Sequence, residues 1–500
     1  MNRSKTLVIG LALVLTSGLA AAQPVITGTN SDLLAHSGRL SIQGSGFGAV
    51  RGEVLVAGLP GLISTWKDTR IVAYVPEEAP IGPTEVVVRL DATDSNAMPL
   101  EVAARQADGR IDWVFEIDSE YIYYRPARAP DGTLYVHGYT YEAGGEGKVY
   151  ALAPNGALKW ITEVDWAAYV PPVAGPDGAV YVGSLDTLYR ISPAGEIEWT
   201  FEGGLNIQSS AVIGPDGTVY TGFEQAPEAV ALDPATGTLI WSNSPGLSAF
   251  GTGGTEARLG RSTPDGPYDR FYLWWDALAA FSLDGEHLFT TSAGNIYDHE
   301  VAVGSDGTLY APAQWDNDLA ALSPFNGAIQ WIADGPWNVV RSDVEIGPDD
   351  MLYFVGTSAW LNAFDPHSQT TLWNRDIGHY LSRPSLTPDG TMLLTSGGGT
   401  CNDPAGCTIS FVKAIDTTNG DELWHIDLDE AWDPDYRSVT WDHARISADS
   451  KNAYFTGWVA GSEDYLDERS LLWAVDLEDP DIFSDGFESG DTSAWDLVQP

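Results

Sequence analysis

Cationic side chains are scarce, with 25 Lys and Arg against 70 Asp and Glu and a formal net charge of -45 over 500 residues. A field of that sign repels nucleic acid and anionic lipid, so neither is expected as a partner. Cysteine is scarcer, being confined to Cys401 and Cys407 in "GGGTCNDPAGCTIS". In an oxidising compartment this pair reads most simply as a local disulfide, while a redox or metal pair would lack further Cys or His beside it. Uninterrupted apolar runs of about 18 residues are missing, so no transmembrane helix is expected. The patterns H-E-x-x-H, G-x-S-x-G and G-x-x-x-x-G-K-[ST] are absent too, and with them the local signatures of zinc proteases, serine esterases and P-loop enzymes.

What is present begins with a leader. Met1 to Gln23 carries Arg3 and Lys5, an apolar run from Leu7 to Leu15, and Ala20, Ala21 and Ala22, which reads as a signal peptide over residues 1–22. No Cys stands near the expected cut to take a lipid. A secreted or periplasmic protein is therefore expected. With 44% hydrophobic and 11% aromatic residues, the chain is globular rather than a disordered acidic tail.

Repeats organise most of the rest. "PDGTLYVHG" at 130 returns as "PDGAVYVGS" at 176, "PDGTVYTGF" at 215, "SDGTLYAPA" at 305, "PDDMLYFVG" at 348 and "PDGTMLLTS" at 388, with weaker copies from 264 and 448. Each sets a tight turn of Pro, Asp and Gly before an alternating strand. A further strand, a second turn and a short strand ending in an aromatic residue follow, as in "KVYALAPNGALKW". The closing aromatics are Trp160, Trp199, Trp241, Phe289, Trp331, Trp373 and Trp424, 39 to 51 residues apart. Four antiparallel strands at that period make a propeller blade.

The two ends complete one another. "LLWAVDLEDP" at 471 supplies a third strand without a fourth, and "DGRIDWVF" at 108 supplies a fourth strand, with Trp113, without a third. The expectation is an all-β chain whose propeller has eight blades, closed by pairing of the strand near Ile111 to Trp113 with that near Leu471 to Val475.

The phrase "ALDPATGTLIW" at 231, loosely repeated as "AIDTTNGDELW" at 414, resembles the tryptophan-docking motif of pyrroloquinoline-quinone-type propellers. Ala231, Asp233, Thr236, Gly237 and Trp241 carry the match, as do Ala414, Asp416, Gly420 and Trp424. The resemblance spans about residues 106–478 and implies a structural docking role for Trp113, Trp160, Trp199, Trp241, Trp331, Trp373 and Trp424. That family includes quinone-dependent dehydrogenases and cofactor-free scaffolds such as the outer-membrane protein assembly subunit. The dehydrogenases share an adjacent Cys-Cys pair and a calcium site, and this chain has neither adjacent cysteines nor a D-x-[DN]-x-[DN]-G loop. Neither quinone nor calcium is expected, and no catalytic or metal-binding residue is assigned.

Residues 24–104 hold alternating strands between Gly and Pro turns, a small β-sandwich. Gly44, Gly46, Phe47 and Gly48 in "GSGFG", with Trp66, Asp68 and Thr69 in "TWKDT", resemble an IPT/TIG domain of immunoglobulin-like fold. The linker at Ala104 to Asp108 is short, which places this domain at the outer rim of the ring and exposes Arg105 to proteolysis. Residues 479–500 form a polar tail, a flexible terminus or a sorting signal.

Function is expected to be noncatalytic binding or scaffolding for a protein or glycan partner, by a monomer. The alternative is an envelope oxidoreductase, in its most specific form a quinone-dependent dehydrogenase, or another enzyme acting on a sugar or alcohol. Counting back from each turn places Tyr124 and Arg125, Ser209 and Ser210, His299 and Glu300, Arg341 and Asp343, Arg383, and Asp442 and His443 near one mouth of the channel. Arg125, His299, Glu300, Arg341, Asp343, Arg383, Asp442 and His443 are candidate ligand-binding residues there. Two readings stay open, a ring of structural ion pairs and a pocket for a small anionic or sugar-like ligand.

Overall fold

Turn chemistry builds the repeated sheets. Asp131 accepts the Thr133 N–H and hydroxyl through its two carboxylate oxygens, each at 2.9 Å, while Gly132 takes φ 86°. Asp216 with Thr218 and Asp306 with Thr308 repeat the arrangement around Gly217 and Gly307. A positive φ of this size costs glycine little, and the side-chain bonds fix the reversal.

The computed structural model describes residues 23–478 apart from 119–121, 123, 141–146, 166–169, 204–205, 208, 224–227, 247–256, 265, 275–276, 292–300, 314–317, 334, 336–341, 343, 357–358, 379–383, 398–410, 428–436, 441–443 and 461–468. The expected leader, the Cys401 and Cys407 loop and the tail lie outside these residues.

Among the described residues, the first turn joins a short strand, Ala127–Arg128, to Leu134–Tyr139, after which Gly147–Leu152 and Leu158–Val164 complete an antiparallel sheet. Further four-stranded sheets of the same order start at Val173–Ala174, Val212–Ile213, Arg258–Gly260, Ala302–Val303, Glu345–Ile346 and Ser385–Leu386. One more sheet draws on both ends of the chain. Its strand Ile111–Ile117 pairs antiparallel with Arg469–Asp476, from Ile111 opposite Val475 to Ile117 opposite Ser470. Asn452–Ala460 follows in that sheet and carries both Arg437–Thr440 and Arg445–Ile446. Short first strands of neighbouring sheets lie against one another, so the sheets radiate from a common axis.

Aromatic rings join each sheet to the next. Indole N–H groups of Trp113, Trp160, Trp199, Trp241 and Trp373 donate to the carbonyls of Pro154, Pro193, Pro234, Leu283 and Thr417, at 2.9 to 3.2 Å. The rings of Trp113, Trp160, Trp199 and Trp241 cover Gly156, Gly195, Gly237 and Gly285 of the following turn. Phe289 covers Gly327 in the same way, and Trp373 covers Gly420. Trp331 stands 6.0 Å from both Tyr310 and Phe364. Trp424 packs partly buried beside Val412 and Ala414, with the Arg110 guanidinium 4.6 Å above its ring. Tyr135, four residues after Asp131, donates to the Gly178 carbonyl of the next turn at 2.6 Å.

Residues 25–103 form two sheets over one core. One is Val25–Thr29, Arg39–Ser45, Arg70–Tyr74 and Leu62–Trp66, and the other centres on Gly82–Leu90 between Met98–Ala103 and Glu53–Val56. Ile26, Leu40, Ile42 and Ile71 of the first meet Val54, Val56, Val86, Val88 and Leu100 of the second. This unit sits against the outer strands Ile111–Ile117 and Leu158–Val164.

A buried polar cluster fastens it there. Tyr74 stacks on Phe115 at 5.2 Å, and its hydroxyl donates to the Glu116 carbonyl while accepting the Asp118 N–H. Ser64 and Thr65 each donate to one Asp118 carboxylate oxygen at 2.7 Å, Arg39 reaches the other at 3.2 Å, and Lys148 lies 3.6 Å away. Lys148 also donates to Thr65 Oγ1 at 2.9 Å. Arg39 and Lys148 are each 2% exposed. Burial alone would raise the Asp118 pKa, but Lys148 and Arg39 outweigh it and hold the carboxyl far below the usual carboxylate range. In the linker, the Arg105 guanidinium grips Glu77 at 2.5 and 2.8 Å and donates to the His36 carbonyl.

Candidate functional site

The first strands are short, and several residues in or beside them are small. Ala129, Ala174, Gly175, Ala211, Gly214 and Ala257 cannot fill the axis, and a cavity of about 660 Å³ opens beside them. Pro130, Pro176 and Pro215 of the turns contribute apolar wall, and Ser210 contributes a hydroxyl. Arg125, Arg128, Arg258 and Arg445 also line it, from three of the sheets and the segment that leads into the first. No carboxylate stands among the described lining residues, in a chain where acids outnumber bases by 70 to 25.

Several bonds set the positions of these groups. Arg445 Nε donates to the Pro126 carbonyl at 3.1 Å, and the Thr456 hydroxyl donates to the Tyr124 carbonyl at 3.0 Å. Both tie the last sheet to the segment carrying Arg125. Arg258 and Arg445 stand opposite Tyr272 and Tyr454 in their ladders, whereas Arg128 lies one step further on, opposite Leu134. Burial raises the Tyr454 phenol pKa, and neighbouring Arg128 opposes the rise by favouring the phenolate.

Of the residues expected at the mouth, Arg125 and Ser210 line the cavity. Ser209 instead accepts the Gly222 N–H at 2.9 Å and is a buried strand-end brace. His299, Glu300, Arg341, Asp343, Arg383, Asp442 and His443 lie outside the described residues. Arg128, Arg258 and Arg445 join them there, outside the positions that counting back from the turns selects. A signal existed in the recurrent Ala-Arg dipeptides at 127, 257 and 444, each at a first strand.

Comparison with known proteins bears on the ring. A family model described as outer membrane protein assembly factor BamB matches residues 100–265. Among solved structures, the C-terminal WD40 domain of Sif2 is 13% identical, over 73% of this chain and 99% of that one, with a TM-score of 0.52. The chain is a β-propeller. A europium-containing methanol dehydrogenase is similar at 13% identity, over 74% of this chain and 93% of that one, with a TM-score of 0.51. The Dos1 propeller is 11% identical, over 72% of this chain and 93% of that one, with a TM-score of 0.52. Identities this low carry the propeller fold and no activity. No curated protein matches the chain.

Proposed function

We propose that this chain is a secreted or periplasmic, noncatalytic scaffold: an eight-bladed propeller of the pyrroloquinoline-quinone-like type with an IPT/TIG-like domain on its rim, serving a protein partner. The observation that carries the partner class is the outer rim. Ile197, Leu239, Ile240, Ile329, Ile332, Leu372 and Leu423 stand exposed on the fourth strands of five blades. Fourth strands are the open edges of their sheets, and apolar side chains there favour a protein surface over a glycan. The N-terminal domain covers the corresponding rim at Ile111–Ile117 and Leu158–Val164. The match of residues 100–265 to an assembly-factor family supports the same reading.

Affinity capture from an envelope extract tests it, using the full chain and the double variant Ile240→Glu, Ile332→Glu. A partner held by the first should be retained about tenfold less by the second, a loss of roughly 1.4 kcal/mol, at an unchanged melting temperature. Equal retention would remove the rim from the function.

A further inference from the structure

We propose that the blade starting at Ala302–Val303 receives an extended segment of a cationic protein, added as a strand beside its outer strand Ile329–Ala333. The inference rests on the reading of the outer rim as a partner surface and names one place on it and the mode of contact. Each fourth strand has a place two residues before its docked ring and a place one residue after it. Among the described fourth strands, both places are apolar in three: Ile111 and Val114 about Trp113, Leu158 and Ile161 about Trp160, and Ile329 and Ile332 about Trp331. The first two strands lie against the N-terminal unit. There Leu158 is 8% exposed, and Ile161 is partly buried against the cluster that holds Tyr74 of that unit. Ile329 and Ile332 are 47% and 48% exposed. The third strand has the side chains of a covered rim and, among the described residues, no cover.

Register makes the two isoleucines one surface. Ile329 stands opposite Leu322 and Ile332 opposite Ala320, with Gln330 left unpaired between them. The extra residue returns both to one face, that of Leu322 and Ala320, which pack with Phe289 of the preceding blade. Leu158 and Ile161 are set in the same way, opposite Leu152 and Tyr150, at the junction where Tyr74 enters. The edge itself points to a strand as occupant. Ile329–Ala333 ends its sheet, so its outer N–H and C=O groups face away from the ladder. On the covered blade the N-terminal unit answers such an amide, since the Leu158 N–H donates to Ser37 Oγ at 2.9 Å. Elsewhere Glu198, Arg375 and Glu422 guard the outer strands with charge, whereas residues 319–333 carry none. Leu239–Asn243 is uncharged too, but has Ser242 at the second place. A second copy of the chain would bring another -45 to the contact, so charge favours a partner rich in Lys and Arg.

Fluorescence anisotropy of the labelled peptide KTVTFTVTK with the full chain tests the proposal. Saturable binding is expected, about tenfold weaker for the double variant Ile329→Gln, Ile332→Gln and unchanged for Leu423→Gln on another blade. An added strand pairs through alternate residues, so of two peptides N-methylated on alternate sets, at least one should bind the unaltered chain about tenfold more weakly. That comparison needs no variant to fold. Replacing both terminal lysines of the peptide by glutamate should weaken binding severalfold, and equal affinity would remove the cationic class of partner. No saturable binding, equal binding by the double variant, or tolerance of both methylated peptides overturns the proposal. So does a dimer in sedimentation velocity that the double variant loses, which would give the edge to a second copy. Capture from an envelope extract separates this edge from the rim as a whole. A partner kept by Ile329→Gln, Ile332→Gln but lost by Leu239→Gln, Ile240→Gln removes the edge and leaves the rim; one kept by both variants removes the rim as well.

Discussion

At the scale of single residues, Gly237 separates two effects that a turn glycine combines. It sits at φ 66°, and a Cβ there would lie 2.6 Å from the Trp199 ring of the preceding blade. Gly246 sits at φ 72° with nothing within 4 Å of the same position. Gly246→Ala should therefore cost only the backbone term, about 1 kcal/mol, while Gly237→Ala adds displacement of a docked indole and should cost about 2–4 kcal/mol. Denaturant midpoints at constant slope measure the difference. Equal costs would mean that the indole gives way freely. The turn role of Gly237 was legible in "DPATG", because local chemistry sets it. The contact with Trp199 was not, since the ring arrives from another blade.

At the scale of elements, the closing blade was legible because each end lacked what the other held. Trp113 had no third strand before it, and Leu471 to Val475 had no fourth strand after it. The axial arginines were harder to place, since a first strand of two or three residues offers no periodicity, and one step of register moves a side chain to the other face. Arg128 and Arg445 differ by that one step. Closure itself makes a measurable claim. Starting the chain at residue 118 removes Ile111–Ile117 from the ladder with Arg469–Asp476 and takes the Trp113 ring off Gly156. Compared with a chain starting at 106, it should melt several degrees lower and with less cooperativity, because a central strand becomes an edge. Identical melting would show that the ring holds without this strand.

At the scale of the whole molecule, the question is what makes two domains one body. Asp118 follows the closing strand, Lys148 belongs to the first blade, and Arg39, Ser64, Thr65 and Tyr74 come from the N-terminal unit. Their separations along the chain reach 84 residues for Ser64 and Lys148, and no spacing rule announces them. A charged group nearly out of water is tolerated only when its partners stay in place, so removing one leaves the others buried and uncompensated. Asp118→Ala should cost about 3–5 kcal/mol at neutral pH, and the loss should appear as separate melting of the N-terminal domain below that of the ring. The same carboxylate fixes the pH dependence. Its folded pKa is depressed below the unfolded value, so its contribution is present in full above about pH 4 and fades as the pH falls toward the folded value. Calorimetry between neutral pH and about pH 3 should therefore bring the wild type toward the variant, as the advantage of the ionised cluster is lost on acidification. If Asp118→Ala melts in one transition at the wild-type temperature, the cluster is not what holds the domain to the rim, and the stacked pair Tyr74 and Phe115 is the next contact to remove.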